Sequence, residues 1–81
     1  MKVLYFSWMR ERVGLASEEV ETRAATARDL AQELAVRGEN YAYAFENLAA
    51  VRVAIDQEMA ELDTPLAGAS EVAFFPPVTG G

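Results

Sequence analysis

The residues best suited to chemistry are the last two, Gly80 and Gly81, at the end of Phe74-Phe75-Pro76-Pro77-Val78-Thr79-Gly80-Gly81. A Gly-Gly end can enter a channel too narrow for any Cβ, and it adopts backbone angles closed to other residues. Just before it, Pro76 and Pro77 have no N–H to give a sheet ladder and each locks its own φ, so a strand must stop at Phe75. Beyond that point the pattern predicts an extended backbone. At ~3.1 Å per residue, Pro76 to Gly81 would reach roughly 19 Å from the body. The chemistry expected is that of a terminal carboxylate delivered into another protein's active site. A frayed terminus is the plain alternative, but frayed tails are usually polar and lack an aromatic and proline shoulder. The PxxP spacing of a docking ligand is absent.

Other candidates are weaker. Cysteine and histidine are absent, which removes the usual zinc ligands, the usual base and the strongest nucleophile. Glu18, Glu19 and Glu21 cluster in sequence and could in principle hold a metal. A solvated edge strand, blunted by charge, is the expected reading. Glu58, Glu61 and Asp63 have no partner base and are read as solvated. Tyr41, Ala44, Phe45 and Leu48 repeat at roughly helical spacing and are read as core filling rather than as a cofactor box. The inventory suits a part that other proteins act upon, not an enzyme.

Composition narrows the partners. Eighty-one residues make one domain, and at this size only about 60% of the unfolded surface is buried, so the 52% hydrophobic content is needed for a core. A net charge of −6, with seven scattered Lys and Arg, argues against nucleic acid and against an anionic membrane surface. The apolar start, Val3 to Met9, is barely as long as a signal peptide's core and lacks its cleavage site. No run approaches a membrane span. A cytoplasmic location is expected.

These candidate residues need a scaffold. Val3 to Trp8 is apolar on both faces, as a central strand should be, and Arg10 to Gly14 suggests a short turn or helical cap. Ser17 to Thr22 reads as a second strand, with Val20 and Thr22 on one side, forming a hairpin with the first. Thr26 to Gly38 is an amphipathic helix. Thr26 caps it, Asp29 suits its positive end, and Ala27, Leu30, Ala31, Leu34 and Ala35 share one face. Arg37 and Gly38 are expected to close it, Gly38 as a left-handed cap. A helical turn follows around Tyr41. Val51, Val53 and Ile55 alternate inward along a strand, Asp56-Gln57 turns into a short strand at Glu58 to Ala60, and Glu71 to Phe75 is the last strand.

Two strands apolar on both sides, at the two ends of the chain, should lie together at the sheet's centre. If they run parallel, the helix is the crossover that packs on one face. The fold class expected is α+β, a ubiquitin-like β-grasp: a mixed sheet with one main helix packed on one face and an extended C-terminal tail. Residues 1–75 would form the β-grasp domain and 76–81 the tail.

Phe6-Ser7-Trp8-Met9-Arg10-Glu11 with Gly14, then Val53-Ala54-Ile55-Asp56-Gln57, and above all Glu71 to Gly81, resemble the small subunits of molybdopterin synthases. That family consists of ubiquitin-like sulfur carriers. Two turns depart from its pattern: Ala69-Ser70 where Gly-Asp is common, and Asp56 where Asn is common. The resemblance implies that an activating enzyme related to the ubiquitin-activating adenylyltransferases converts the Gly81 carboxyl into an acyl-adenylate, using ATP and Mg. A persulfide sulfur from a sulfur donor enzyme then replaces AMP and leaves a thiocarboxylate. In a large synthase subunit, expected to assemble as two large and two small chains, two such carriers would in turn sulfurate a cyclic pyranopterin monophosphate to the molybdopterin dithiolene. No permanently bound cofactor is implied. Gly81 would carry the sulfur, and Gly80, Thr79, Val78, Pro77 and Pro76 would form the inserted tail.

Docking needs a surface too. If Val72 and Phe74 face the helix, strand alternation turns Phe75 to the other side. Phe6 and Met59 are expected to join Phe75 in an exposed apolar patch, the usual mark of a partner site. Rival readings are a carrier for thiazole synthesis or tRNA thiolation, a ubiquitin-like protein modifier, and a plain interaction domain.

Overall fold

The computed structural model describes residues 1–77. In chain order the elements are β1 (Lys2–Tyr5), α1 (Trp8–Val13), β2 (Ser17–Glu19), α2 (Ala27–Ala35), α3 (Glu39–Ala44), a single 3-10 turn (Leu48–Ala50), β3 (Arg52–Ile55), β4 (Glu58–Ala60) and β5 (Glu71–Phe75). The strands form one sheet in the order β2-β1-β5-β3-β4. Among the described residues only β1 and β5 pair in parallel, with Val3 opposite Val72 and Tyr5 opposite Phe74. The other three pairings are antiparallel. The two strands apolar on both faces thus lie side by side within the sheet, and the fold is the ubiquitin-like β-grasp.

One face of the sheet carries the core. Val3, Tyr5, Val53, Val72 and Phe74 are buried there against Leu30 and Leu34 of α2. Burying each of those leucines stabilises the fold by about 1.5–3 kcal/mol. Phe45, just past α3, meets Phe74 edge-on at 5.0 Å between ring centroids and Tyr5 at 6.4 Å. Thr26 caps α2 as expected, its Oγ1 accepting from the Asp29 N–H at 3.2 Å. The helical turn expected around Tyr41 is α3, and Tyr41, Ala44 and Phe45 do fill the core.

Three expectations need correction. β1 stops at Tyr5 instead of running to Trp8, because Ser7 takes a positive φ of 57° and starts α1. Met9 and Val13, four apart, are buried on one side of α1. Gly14, at φ 92°, closes it by donating to the Arg10 carbonyl at 2.8 Å. A second correction concerns β2, which ends at Glu19. Glu19 pairs with Lys2 and Val20 donates to the Met1 carbonyl, while Glu21 and Thr22 belong to no strand among the described residues. Gly38 is not a left-handed cap: Val36 caps α2, while Gly38 is extended and precedes α3. The short helical segments expected after β1 and around Tyr41 are α1 and α3, which join the main helix α2. α1 and α3 are tied by Arg12, whose guanidinium lies between the rings of Trp8 (4.3 Å) and Tyr43 (3.8 Å).

Candidate functional site

Among the described residues no helix lies over the sheet's other face. Because Val3, Tyr5, Val53, Val72 and Phe74 point to the core, alternation sends Leu4, Ala54, Ala73 and Phe75 the other way. The registers align Ser17, Leu4, Ala73, Ala54 and Met59 as one row crossing all five strands. One step toward the end of β5, the Phe6 N–H donates to the Phe74 carbonyl at 3.1 Å, which prolongs the parallel ladder and sets Phe6 beside Phe75. The result is a shallow apolar groove lined by Leu4, Phe6, Ala54, Met59, Ala73 and Phe75.

The structure therefore brings together the three residues expected to form a patch. Phe6 is 48% exposed, Met59 72%, and Phe75 half-buried. Leu4, Ala54 and Ala73 were not singled out from the sequence. The inward positions of β1, β3 and β5 imply them by alternation, which is where they could have been found. Pro76 and Pro77 follow β5, half-buried. Val78, Thr79, Gly80 and Gly81 lie outside the described residues.

One cation stands on this face beside Phe75. Arg52 pairs in register with Phe75. Its Nη1 donates to the Ala49 and Val51 carbonyls at 3.1 and 3.3 Å. In a separate groove that Arg52 also lines, Asp63 and Arg28 form an exposed pair at 2.7 Å, and the hydrogen bond from Arg28 holds the Asp63 carboxyl below the usual carboxylate range. Glu58 and Glu61 are exposed, as read from the sequence.

The acidic strand β2 divides differently from expectation. Glu19 and Glu21 are exposed, but Glu18 is not a solvated side chain. Opposite Val3 in the hairpin, it turns to the core side. There its Oε2 accepts from the hydroxyls of Tyr5 and Tyr41, and its Oε1 lies 3.4 Å from Arg37. Burial, and then the hydrogen bond to Glu18, raise both tyrosine pKa values, so the hydroxyls are held protonated as donors. This cluster braces the fold and presents no substrate-sized opening. Among the described residues no three Asp or Glu side chains converge as a metal site, and no helix is long and apolar enough to cross a membrane.

An uncovered apolar face beside the end of a central parallel strand calls for comparison with known proteins. The ThiS family pattern matches residues 3–81. The chain belongs to the ThiS family. One ThiS-like relative, the "Molybdopterin synthase sulfur carrier subunit" of Escherichia coli K12, is 41% identical over 81 residues, covering 100% of this chain and 99% of that protein. Among solved structures, the putative molybdopterin converting factor subunit 1 of Pyrococcus furiosus superposes with a TM-score of 0.73 at 31% identity, over 95% of each chain. The small archaeal modifier protein 1 of Haloferax volcanii superposes with a TM-score of 0.67 at 27% identity, over 96% of this chain and 97% of its own. Across the ThiS-family chain, then, similarity runs from β1 through Gly81 and is not confined to the sheet.

Proposed function

We propose that this ThiS-family protein is the sulfur carrier subunit of a molybdopterin synthase, with Gly81 as the residue that bears the sulfur. The observation that carries the reading is full-length similarity to a carrier of that name, in a chain whose last strand feeds a Pro-Pro…Gly-Gly end beside an open apolar face.

A carboxylate is a poor electrophile, so it must first be activated. On an adenylyltransferase, the Gly81 carboxylate attacks the α-phosphorus of Mg-ATP and pyrophosphate leaves. A persulfide from a sulfur donor enzyme displaces AMP from the acyl carbon, and cleavage of the S–S bond by a thiol leaves the thiocarboxylate. The sulfur rides on the backbone terminus, so the absence of cysteine costs nothing. The apolar face docks on the large subunit, in an assembly of two large and two small chains, while Pro76 and Pro77 stiffen delivery of Val78 to Gly81 into its active site. The large subunit supplies the catalytic side chains, and the cytoplasm supplies the partners.

The test is intact-mass analysis of the protein isolated with its cellular partners. One oxygen exchanged for sulfur at the C-terminus is the expected result. A mass that never departs from the plain carboxylate when activating enzyme, ATP and sulfur donor are all present overturns the reading. The likeness to an archaeal modifier supports a second reading, in which the adenylated Gly81 joins a lysine amine. Branched Gly-Gly remnants on lysines of other proteins would establish that instead.

A further inference from the structure

We infer that Arg52 is a specificity-determining residue of the open face, and that it receives a carboxylate of the protein that docks there. The inference rests on the carrier reading above.

The guanidinium has five N–H donors in a planar fork. In Arg52 both hydrogens of Nη1 are used, on the carbonyls of Ala49 and Val51. The side chain is therefore anchored, and its Nε/Nη2 edge is left over. That edge is the one that grips a carboxylate with two parallel hydrogen bonds. Arg28 shows the same edge filled: its Nε donates to Asp63 Oδ1 at 2.7 Å and its Nη2 to Oδ2 at 3.4 Å. Arg12 and Arg37 also face carboxylates, those of Glu46 and Glu18. Among the described residues Arg52 has no ion pair, as is true of Lys2, Arg10 and Arg23, but it alone of these lies across the ladder from Phe75; Glu61 lines the groove on its other side without forming one.

Its position says what fills the edge. Val51 and Val53 are buried, so Arg52 between them belongs to the open face, directly across the ladder from Phe75. A partner seated on Phe6, Met59 and Phe75 would shield this cation from water, and shielding strengthens a charged pair. In a chain of net charge −6, one anchored cation across the ladder from Phe75 sets the register of docking: it rewards a carboxylate at one place on a partner that is otherwise repelled if acidic. A phosphate is the poorer occupant, since an adenylate would form at Gly81, six residues beyond Phe75 in the chain.

The experiment measures the affinity of the full chain for the isolated large synthase subunit from the same genome, at low and at physiological salt. Wild type, Arg52→Leu, Arg52→Lys and Phe75→Asp are compared, with thermal melts of each. Arg52→Leu is expected to bind at least about tenfold more weakly, the loss of a charged hydrogen-bonded pair, with a flatter salt dependence and an unchanged melt. Arg52→Lys should recover only part, because an ammonium is a point charge and not a fork. Wild-type affinity in Arg52→Leu overturns the inference while leaving the carrier reading standing. So does an effect of Arg52→Leu that vanishes once residues 78–81 are removed, since the chain's own end would then be the occupant. If the wild-type chain does not bind the large subunit at all, the carrier reading itself falls, and Arg52's role with it.

Discussion

Tyr5 and Tyr41 donate their hydroxyl hydrogens to one and the same oxygen, Oε2 of Glu18, at 2.8 and 2.7 Å. Tyr5 lies on β1, Tyr41 on α3 and Glu18 on β2, and Arg37, past the end of α2, closes the other oxygen. A single carboxylate thus ties the edge strand to both helical segments above it. Replacing it with Leu leaves two shielded hydroxyls and a guanidinium without their acceptor. Glu18→Leu is expected to lower stability by about 2–4 kcal/mol, read as a drop in the urea midpoint. Glu18→Gln keeps a carbonyl acceptor and should lose roughly half as much. A Leu variant with the wild-type midpoint would show that the network contributes nothing net.

The same cluster sets an alkaline limit. Both tyrosine pKa values are raised above the ordinary 10.0, by burial first and then by Glu18. Below pH 10 the tyrosines are protonated in the folded and the unfolded chain alike, and they give stability no pH dependence there. As pH rises from 10 toward the folded-state values, only the unfolded chain releases those protons, so stability falls. Melts between pH 9 and pH 12 should show this decline, and the double variant Tyr5→Phe/Tyr41→Phe should flatten it. An equally steep decline in the double variant would place its origin elsewhere.

Asp56 and Gln57 turn the β3–β4 hairpin with positive φ values of 49° and 70°. The Asp56 carboxylate also accepts from the N–H groups of Ser70 and Glu71, at 2.9 and 3.0 Å, which sets the start of β5. Asn in its place presents the same Oδ1 acceptor and tolerates the same backbone, so Asp56→Asn should match wild type. Asp56→Ala is expected to cost about 1 kcal/mol. Gln57→Gly should stabilise the turn by roughly 0.5–1 kcal/mol, since glycine takes φ > 0 freely. Chemical denaturation of the three variants checks the order; Ala equal to Asn would remove the carboxylate's part in the turn.

Phe75→Asp places a charge on the uncovered face of a central strand. It should keep the wild-type fold, as judged by circular dichroism, because Val72 and Phe74 fill the core from the other side. Its binding to the large subunit should fall by about 100-fold, as for an aromatic anchor at an interface centre. Unchanged affinity would move the docking site off the open face.

Much of this architecture is written in short stretches of the chain. The helix start at Thr26 and Asp29, the alternation of Val51, Val53 and Ile55, and the two-sided apolar runs at the chain's ends are each local signals. They act through caps, pleat and burial among near neighbours, so they are legible one segment at a time. The halt of β5 at Phe75, followed by Pro76 and Pro77, is of the same kind. The end of β1 is different. Ser7 turns there because Met9 and Val13 find a core assembled from distant strands, and β2 stops at Glu19 where its ladder with β1 ends. Glu18 looks like one more solvated acid until the hairpin register turns it inward, to hydroxyls 13 and 23 residues away in sequence. Arg52 looks like any strand cation until β5 sets Phe75 beside it and the backbone before it engages its Nη1. Residue type and spacing decided which elements form; pairing register and long-range burial decided which side chains meet, since those depend on partners no local window contains.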